Sequence, residues 1–144
     1  MKHIVDLSWD GNGMIKATEK KQGDITTYPL PKDHKPDGSI VIWEYPIKDP
    51  PFGLYIAGCD PYDHDDSFTN SLGSMFIYKR FKSGEAWNEV LVAEYSGRPA
   101  TAEDYYENAR KLLIFYNARL LFENERKGIY PYFTKKHCDY LLAD

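Results

Sequence analysis

Residues 53–66 read GLYIAGCDPYDHDD, an apolar run that leads into four aspartates within seven positions. The nearly continuous apolar residues at 54–60 are typical of a central strand that is buried on both faces. Side chains alternate along a strand, so Asp60 shares a face with Ile56 and Gly58. An acid at such a strand end either caps a turn or opens onto a site, and both interpretations of Asp60 stay open at this point.

The composition describes a folded globular chain. Its 144 residues suffice for one domain with its own core, and 42% hydrophobic and 15% aromatic residues exclude a disordered chain. The net charge of −4 argues against a strongly basic nucleic-acid binder. There is no apolar run of transmembrane length and no signal peptide, so we expect a cytoplasmic protein. Cys59 and Cys138 are too few for a disulfide scaffold and are expected to be reduced.

The chain divides into two regions of different composition. Residues 1–50 are rich in Gly, Pro, Asn and Asp, which predicts an irregular linker or extended segment. Two short extended pieces interrupt it, at 3–9 and 39–46. Residues 51–144 have regular hydrophobic patterns and are predicted to form the folded domain. No phosphate-loop motif for ATP occurs in the 144 residues.

The regular region predicts three strands, a helix, a strand, a short helix and a last strand. A Gly-containing turn joins the second strand to the third, as in an antiparallel hairpin. The main helix begins at a capping box of Thr101 and Asp104 and ends at Asn117. The predicted strands are 54–60, 71–81, 88–96, 119–124 and 138–144. A helix that crosses over to a strand parallel to the first gives the order of a ribonuclease H-like core, an α/β fold with a mixed sheet.

Two acids occupy the ends of strands that this order makes neighbours. Asp60 ends the first core strand, and Glu123 lies near the end of the strand after the crossover helix. If these strands are parallel, both carboxylates lie at the sheet edge where α/β folds place ligands. Hard oxygen ligands suit Mg²⁺ or Mn²⁺, and two such ions about 3.5–4 Å apart can promote phosphodiester cleavage. Either acid alone also fits a turn or an exposed strand end, so the prediction depends on their joint placement.

Other kinds of site fit the sequence less well. Counting an EF-hand loop from Asp60 puts Tyr62 and His64 at ligand positions, and neither is a good calcium ligand. The histidines and cysteines lack the paired spacings of a structural zinc site. Cys59 lies inside an apolar strand without a neighbouring cation, which argues against a thiol nucleophile.

Basic residues follow Glu123 and are candidates for DNA contacts. They could bind phosphates, and a solvated surface explains them equally well. Tyr105 and Tyr106, by contrast, are more typical of a core than of a base-stacking surface. The candidate basic residues are Arg126, Lys127, Lys135 and Lys136.

Three segments together resemble the nuclease domain of the large terminase subunit of tailed phages, especially gut Bacteroidetes phages of the crAss-like type. They are YIAGCDPYDHDDSFTNSLGS (55–74), VAEYSGRP (92–99) and YNARLLFENERKG (116–128). The resemblance covers about residues 38–144, with the motifs in the same order and spacing. It implies a ribonuclease H-like, metal-dependent endodeoxyribonuclease that cuts concatemeric phage DNA during genome packaging in the host cytoplasm.

The resemblance also implies roles for three acids. Asp60 matches the catalytic Asp of the first strand, and Glu123 matches the second acidic ligand. Asp66 lies where some members of the family carry an auxiliary acid near the metals. The implied cofactor is Mg²⁺ or Mn²⁺ in a two-metal site, and the implied partners are double-stranded DNA, an ATPase motor domain, the portal and the small terminase subunit.

Two departures from the family pattern shape the expectation. The motor domain that normally precedes the nuclease is absent from these 144 residues. The third catalytic Asp normally comes well after the second ligand, so we expect it beyond residue 144. The chain is therefore predicted to be the amino-terminal part of the nuclease domain, incomplete at its carboxyl end and weakly active.

Two other functions remain compatible with the sequence. A ribonuclease H-like recombinase or resolvase would keep the fold and the acids but prefer branched DNA. A non-catalytic docking module of the packaging machine would use the acids only as a solvated rim.

Overall fold

The computed structural model describes residues 2–19, 39–60, 73–97, 102–121 and 129–142. The strands are β1 His3–Trp9, β2 Ile15–Glu19, β3 Ser39–Ile42, β4 Tyr55–Asp60, β5 Gly73–Ser83, β6 Ala86–Gly97 and β7 Arg119–Leu121. The helices are α1 Ala102–Tyr116, α2 Ile129–Lys135 and a 3-10 helix, Asp139–Leu141. Within these ranges, no helix has both the length and the apolar character needed to cross a bilayer.

The strands form one mixed sheet in the order β2-β1-β3-β6-β5-β4-β7. β4, β5 and β6 are an antiparallel meander, and β7 lies parallel to β4 after the chain has passed through α1. A parallel return needs such a crossover, because a tight turn can only reverse the strand direction. The predicted α/β class, the meander and the parallel return are confirmed.

The described parts of the first 50 residues, 2–19 and 39–50, contain more regular structure than their composition indicated. β3 pairs with β6, and β1 pairs with both β2 and β3, so all three strands belong to the main sheet. Val5 and Ile42 lie in the same buried cluster as Tyr55. The outer edge of β6 offers backbone hydrogen-bond partners, and the apolar side chains of β1 and β3 gain burial there. The sheet and its core therefore do not divide at residue 50.

One face of the sheet, which we call the helix face, packs against α1. Tyr105 stacks on Tyr95 with ring centroids 5.1 Å apart, and Tyr116 meets Tyr55 edge-on at 5.0 Å. Large aromatic side chains contribute most to such a core because each buries a large area. The predicted apolar stripe of α1 is fully buried, as expected from its helical spacing: Tyr105, Ala109, Leu112, Leu113 and Tyr116.

The predicted end of α1 at Asn117 is also confirmed. Asn117 has a positive φ of 51°, its N–H donates to Ile114 O at 3.1 Å, and the Ala118 N–H donates to Leu113 O at 2.9 Å. This pair of hydrogen bonds is the Schellman motif, in which a left-handed residue closes the helix. Asn adopts this conformation more readily than most residues because its short polar side chain tolerates it.

The predicted last strand at 138–144 is wrong. Residues Asp139–Leu141 form a 3-10 helix, and only Leu142 makes a single parallel bridge, to Leu120. Cys138 and Leu141 are both buried, and a spacing of three residues places them on one side of a 3-10 turn. The segment therefore buries its apolar residues with a helical rather than an alternating period.

The opposite side of the sheet, which we call the second face, carries Ile56, Phe76 and Tyr78. All three are half-buried, whereas Ala57 and Ile77 on the helix face are fully buried. The two faces therefore differ in burial.

Candidate functional site at the carboxyl end of β4

The parallel pairing of β4 and β7 brings the carboxyl ends of both strands to one edge of the sheet. Ile56 is aligned with Arg119 and Gly58 with Leu121, a constant offset of 63 residues. β4 continues for two residues beyond this pairing and ends at Asp60. The prediction that these strands are parallel neighbours is confirmed.

Of the predicted acids, Asp60 is the one whose backbone position is described. It is the last residue of β4 and the register partner of Ser74 on β5. Asp66 and Glu123 lie outside the described residues, as do Arg126 and Lys127. No group of three His, Cys, Asp or Glu suited to a metal occurs within the described ranges. The joint site of Asp60, Asp66 and Glu123 therefore stays a prediction.

Oxygen-bearing side chains lie beside Asp60 in the neighbouring strands. Ser74 is aligned with Asp60 on one side and with Ser96 of β6 on the other. The Ser96 Oγ is 3.3 Å from the Ser74 Oγ and 3.2 Å from a Glu94 carboxylate oxygen. Ser96 is only 1% exposed, so these contacts satisfy a buried hydroxyl. Ser74, Ser96 and Glu94 therefore form a row of polar side chains on the second face, near the carboxyl end of β4.

Glu94 is an acid near this edge that the sequence analysis did not single out. It lies on β6, aligned with Phe76 and therefore on the second face. The sequence pattern that could have revealed Glu94 is the alternation along β6. Glu94 and Ser96 are polar, whereas their neighbours Ala93 and Tyr95 are apolar and buried. Glu94 therefore adds a carboxylate to the second face, in line with Phe76 and Gly58.

Gly58 leaves a gap in the second face, two residues before Asp60. A Cβ at this position would meet no atom of the described residues within 4 Å. Its aligned neighbours are Leu121 on β7 and Phe76 on β5. Glycine inside a strand often marks a place where a ligand or another chain approaches the backbone closely. The gap at Gly58 would let a ligand approach the backbone near the carboxyl end of β4.

Cys59 is separated from this site by the alternation of β4. Its Sγ contacts the Tyr105 hydroxyl at 3.6 Å, on the helix face. Tyr105 itself is fully buried, as expected for a core aromatic. Neither Cys59 nor Cys138 forms a disulfide, which agrees with the expected thiols. The position of Cys59 gives no support to a nucleophilic role.

The candidate DNA-binding lysines that are described lie at the end of α2. Lys135 and Lys136 are both exposed, and the Lys136 Nζ lies 5.7 Å from the centre of the Tyr132 ring. Arg119 on β7 is also exposed and is aligned with Ile56 on the second face. The structure thus leaves these three cations open to solvent, and the contact of Lys135 and Lys136 with DNA stays a prediction.

A polar cluster on the helix side holds α2 against α1. The Glu107 carboxylate accepts hydrogen bonds from Arg110 Nε at 2.7 Å, from Arg110 Nη2 at 2.9 Å and from the Tyr132 hydroxyl at 2.9 Å. Burial alone raises the pKa of Glu107, but the hydrogen bonds from Arg110 and Tyr132 outweigh it and lower that pKa overall. Burial and the Glu107 carboxylate raise the pKa of Tyr132. The partners are internal, so the cluster stabilises the fold.

No family model matches this chain, and neither a curated protein nor a solved structure matches it significantly.

Proposed function

We propose that this chain belongs to a metal-dependent DNA endonuclease domain with a ribonuclease H-like sheet. The observation that carries the proposal is the register of β4 and β7. Gly58 is aligned with Leu121, and if the same offset continued for two more residues, Asp60 would be aligned with Glu123. Two carboxylates from neighbouring parallel strands would then share one sheet edge.

The strand order supports the same proposal. β6, β5, β4 and β7 are adjacent in that order, with an antiparallel meander followed by a parallel return. A ribonuclease H-like core is expected to have this arrangement. The segments that resemble terminase nucleases include β4, much of β6 and the passage from α1 to β7, so they surround the candidate edge.

The donor set fits hard divalent cations. Asp60, Glu123 and Asp66 would hold Mg²⁺ or Mn²⁺ through carboxylate oxygens, the ligands that these ions prefer. Two such ions supply activation of water and stabilisation of the leaving oxygen in phosphodiester hydrolysis. The gap at Gly58 would admit the sugar-phosphate backbone to the edge. In a terminase, this activity would cut concatemeric DNA during packaging.

Plasmid nicking tests the proposal. The chain, and a version extended at its carboxyl end, are incubated with supercoiled plasmid and Mn²⁺ or Mg²⁺, and open-circle product is measured. We expect cutting by the extended version, and we expect Asp60→Asn to abolish it. Asp49→Asn is a matched control, because Asp49 is exposed and lies before the amino end of β4.

Two outcomes would contradict the proposal. If Asp60→Asn cut plasmid as fast as the wild type does, Asp60 would not be in the active site. Failure of every version to cut DNA or to bind Mn²⁺ saturably would favour the non-catalytic docking module.

A further inference from the structure

The hairpin of β5 and β6 extends past the strands that flank it. β4 pairs with β5 as far as Lys79, and β3 pairs with β6 only from Ala93 onward. β5 and β6 nevertheless continue to pair as far as Ser83 and Ala86. Residues 80–91, here called the outer hairpin, therefore form a two-stranded ribbon at the margin of the described sheet.

One side of the outer hairpin combines an exposed indole with two cations. Lys82 is aligned with Trp87, and Arg80 with Glu89, so all four lie on one face. Trp87 is 62% exposed. The Arg80 Cζ lies 4.8 Å and the Lys82 Nζ 5.8 Å from the ring centre, within the range of cation–π attraction. We call Trp87 with these two cations the Trp87 platform.

We propose that the Trp87 platform binds single-stranded nucleic acid. An unpaired base would stack on the exposed indole, and Arg80 and Lys82 would contact the adjoining phosphates. Aromatic stacking combined with backbone cations is the usual way in which proteins hold single strands without reading their sequence. Arg80 suits this role because its planar guanidinium can lie near a ring while its N–H groups donate to phosphate.

A second pair of the same kind shows why the platform is distinctive. Trp9 is 40% exposed and has Arg110 Cζ 5.0 Å from its ring centre. The Arg110 guanidinium, however, is engaged by both carboxylate oxygens of Glu107. That cation is neutralised within the fold, so the Trp9 pair has little charge to offer a phosphate.

The charges also favour nucleic acid over a protein partner on this face. The other face of the outer hairpin exposes the apolar side chains of Phe81 and Val90, which would suit a protein. The face of Trp87 carries two cations against one acid, Glu89, and also exposes one apolar side chain, Leu91. Phosphate attraction is therefore expected to be modest and sensitive to salt.

The platform is separate from the metal edge and does not depend on the nuclease proposal. Lys82 lies eight residues along β5 from Ser74, the register partner of Asp60, which is about 26 Å at the usual rise of a strand. Binding can be measured in EDTA, where metal-dependent cleavage cannot occur.

The test uses the whole chain with a fluorescently labelled twenty-nucleotide oligo-dT in EDTA at low salt. Anisotropy should show saturable binding, and Trp87→Ala should weaken it at least about fivefold, the lower limit for one stacked base. The double variant Arg80→Gln/Lys82→Gln should reduce the slope of log K against log salt concentration by about 1.4, because each lost phosphate contact removes about 0.7. Oligo-rU and a DNA duplex distinguish DNA from RNA and single strands from double strands.

Trp9→Phe is the matched control, and circular dichroism checks that each variant is folded. Binding should quench tryptophan fluorescence in wild type and in Trp9→Phe, and the quench should be lost in Trp87→Phe. Unchanged affinity of folded Trp87→Ala would overturn the proposal. Tighter binding to duplex would also overturn it. A third result would also overturn the proposal: no oligonucleotide binding, together with a change in sedimentation in Trp87→Ala. This result would identify Trp87 as part of a protein interface.

Discussion

Gly58 on β4 and Leu121 on β7 are aligned in a parallel pair, at the same offset of 63 residues that separates Asp60 from Glu123 in the sequence. This register connects a local pattern, an acid at a strand end, with a second acid that follows a distant strand. Because β4 and β7 run in the same direction, their carboxyl ends lie at one edge of the sheet, where the sequence predicts both acids.

Binding of Mn²⁺ is the most direct consequence. We expect the chain to bind Mn²⁺ saturably and Asp60→Asn to weaken that binding by about tenfold or more, because a ligand is lost. Asp49→Asn should leave binding unchanged. Isothermal titration calorimetry measures the affinity, and equal affinities for all three proteins would contradict the assignment of Asp60.

The gap at Gly58 predicts tolerance of a methyl group. Gly58→Ala should retain the fold and raise the free energy of unfolding by about 0.4–1 kcal/mol, because alanine restricts the unfolded chain. No atom of the described part of the chain lies within 4 Å of a Cβ built there. Urea unfolding checks this prediction. A loss of stability larger than about 1 kcal/mol would mean that the space is occupied in the native protein.

The pairing of Glu107 with Arg110 predicts that removing the charge of Glu107 destabilises the protein. Glu107→Gln should lower the free energy of unfolding by about 2 kcal/mol at pH 7, because it leaves the charge of Arg110 without its carboxylate partner. The Arg110 side chain is only 11% exposed. Glu85→Gln, in the exposed hairpin turn, is the control and should change stability by less than about 0.5 kcal/mol.

The same pair predicts a dependence on pH. The pKa of Glu107 is lowered in the folded protein from its ordinary value of 4.5, because the hydrogen bonds from Arg110 and Tyr132 outweigh the effect of burial. Its contribution is therefore present above pH 4.5 and is lost as the pH falls through the folded pKa. The stability difference between wild type and Glu107→Gln should shrink between pH 5 and pH 3. A difference that stays constant over this range would contradict the prediction.

The end of α2 offers a stabilising substitution. His137 has a positive φ of 58°, with its N–H bonded to Thr134 O at 3.0 Å and the Cys138 N–H bonded to Phe133 O at 2.7 Å. Glycine adopts this conformation without strain. His137→Gly should therefore raise the free energy of unfolding by about 0.5–1 kcal/mol, and with it the melting temperature. His137→Ala should not. Equal melting temperatures for the Gly and Ala variants would contradict this explanation.

Elements with strong local signals were predictable from the sequence. The apolar run of β4, the hairpin of β5 and β6 and the helical stripe of α1 each bury a continuous pattern, so their period identifies them. The last strand was predicted wrongly because the short apolar run at 138–142 fits both an alternating and a three-residue period. Burial of Cys138 and Leu141 selects the second.

The sequence by itself determined the α/β class, the order of the elements from β4 to β7 and the placement of Asp60 at the end of β4. Only the tertiary structure decided that β1, β2 and β3 extend the sheet beyond β6. Only the tertiary structure placed Glu94 and Ser96 on the second face beside Ser74. Hydrophobic period is a property of neighbouring residues, whereas strand pairing depends on which edges are free when distant segments meet, and a local pattern does not encode that choice.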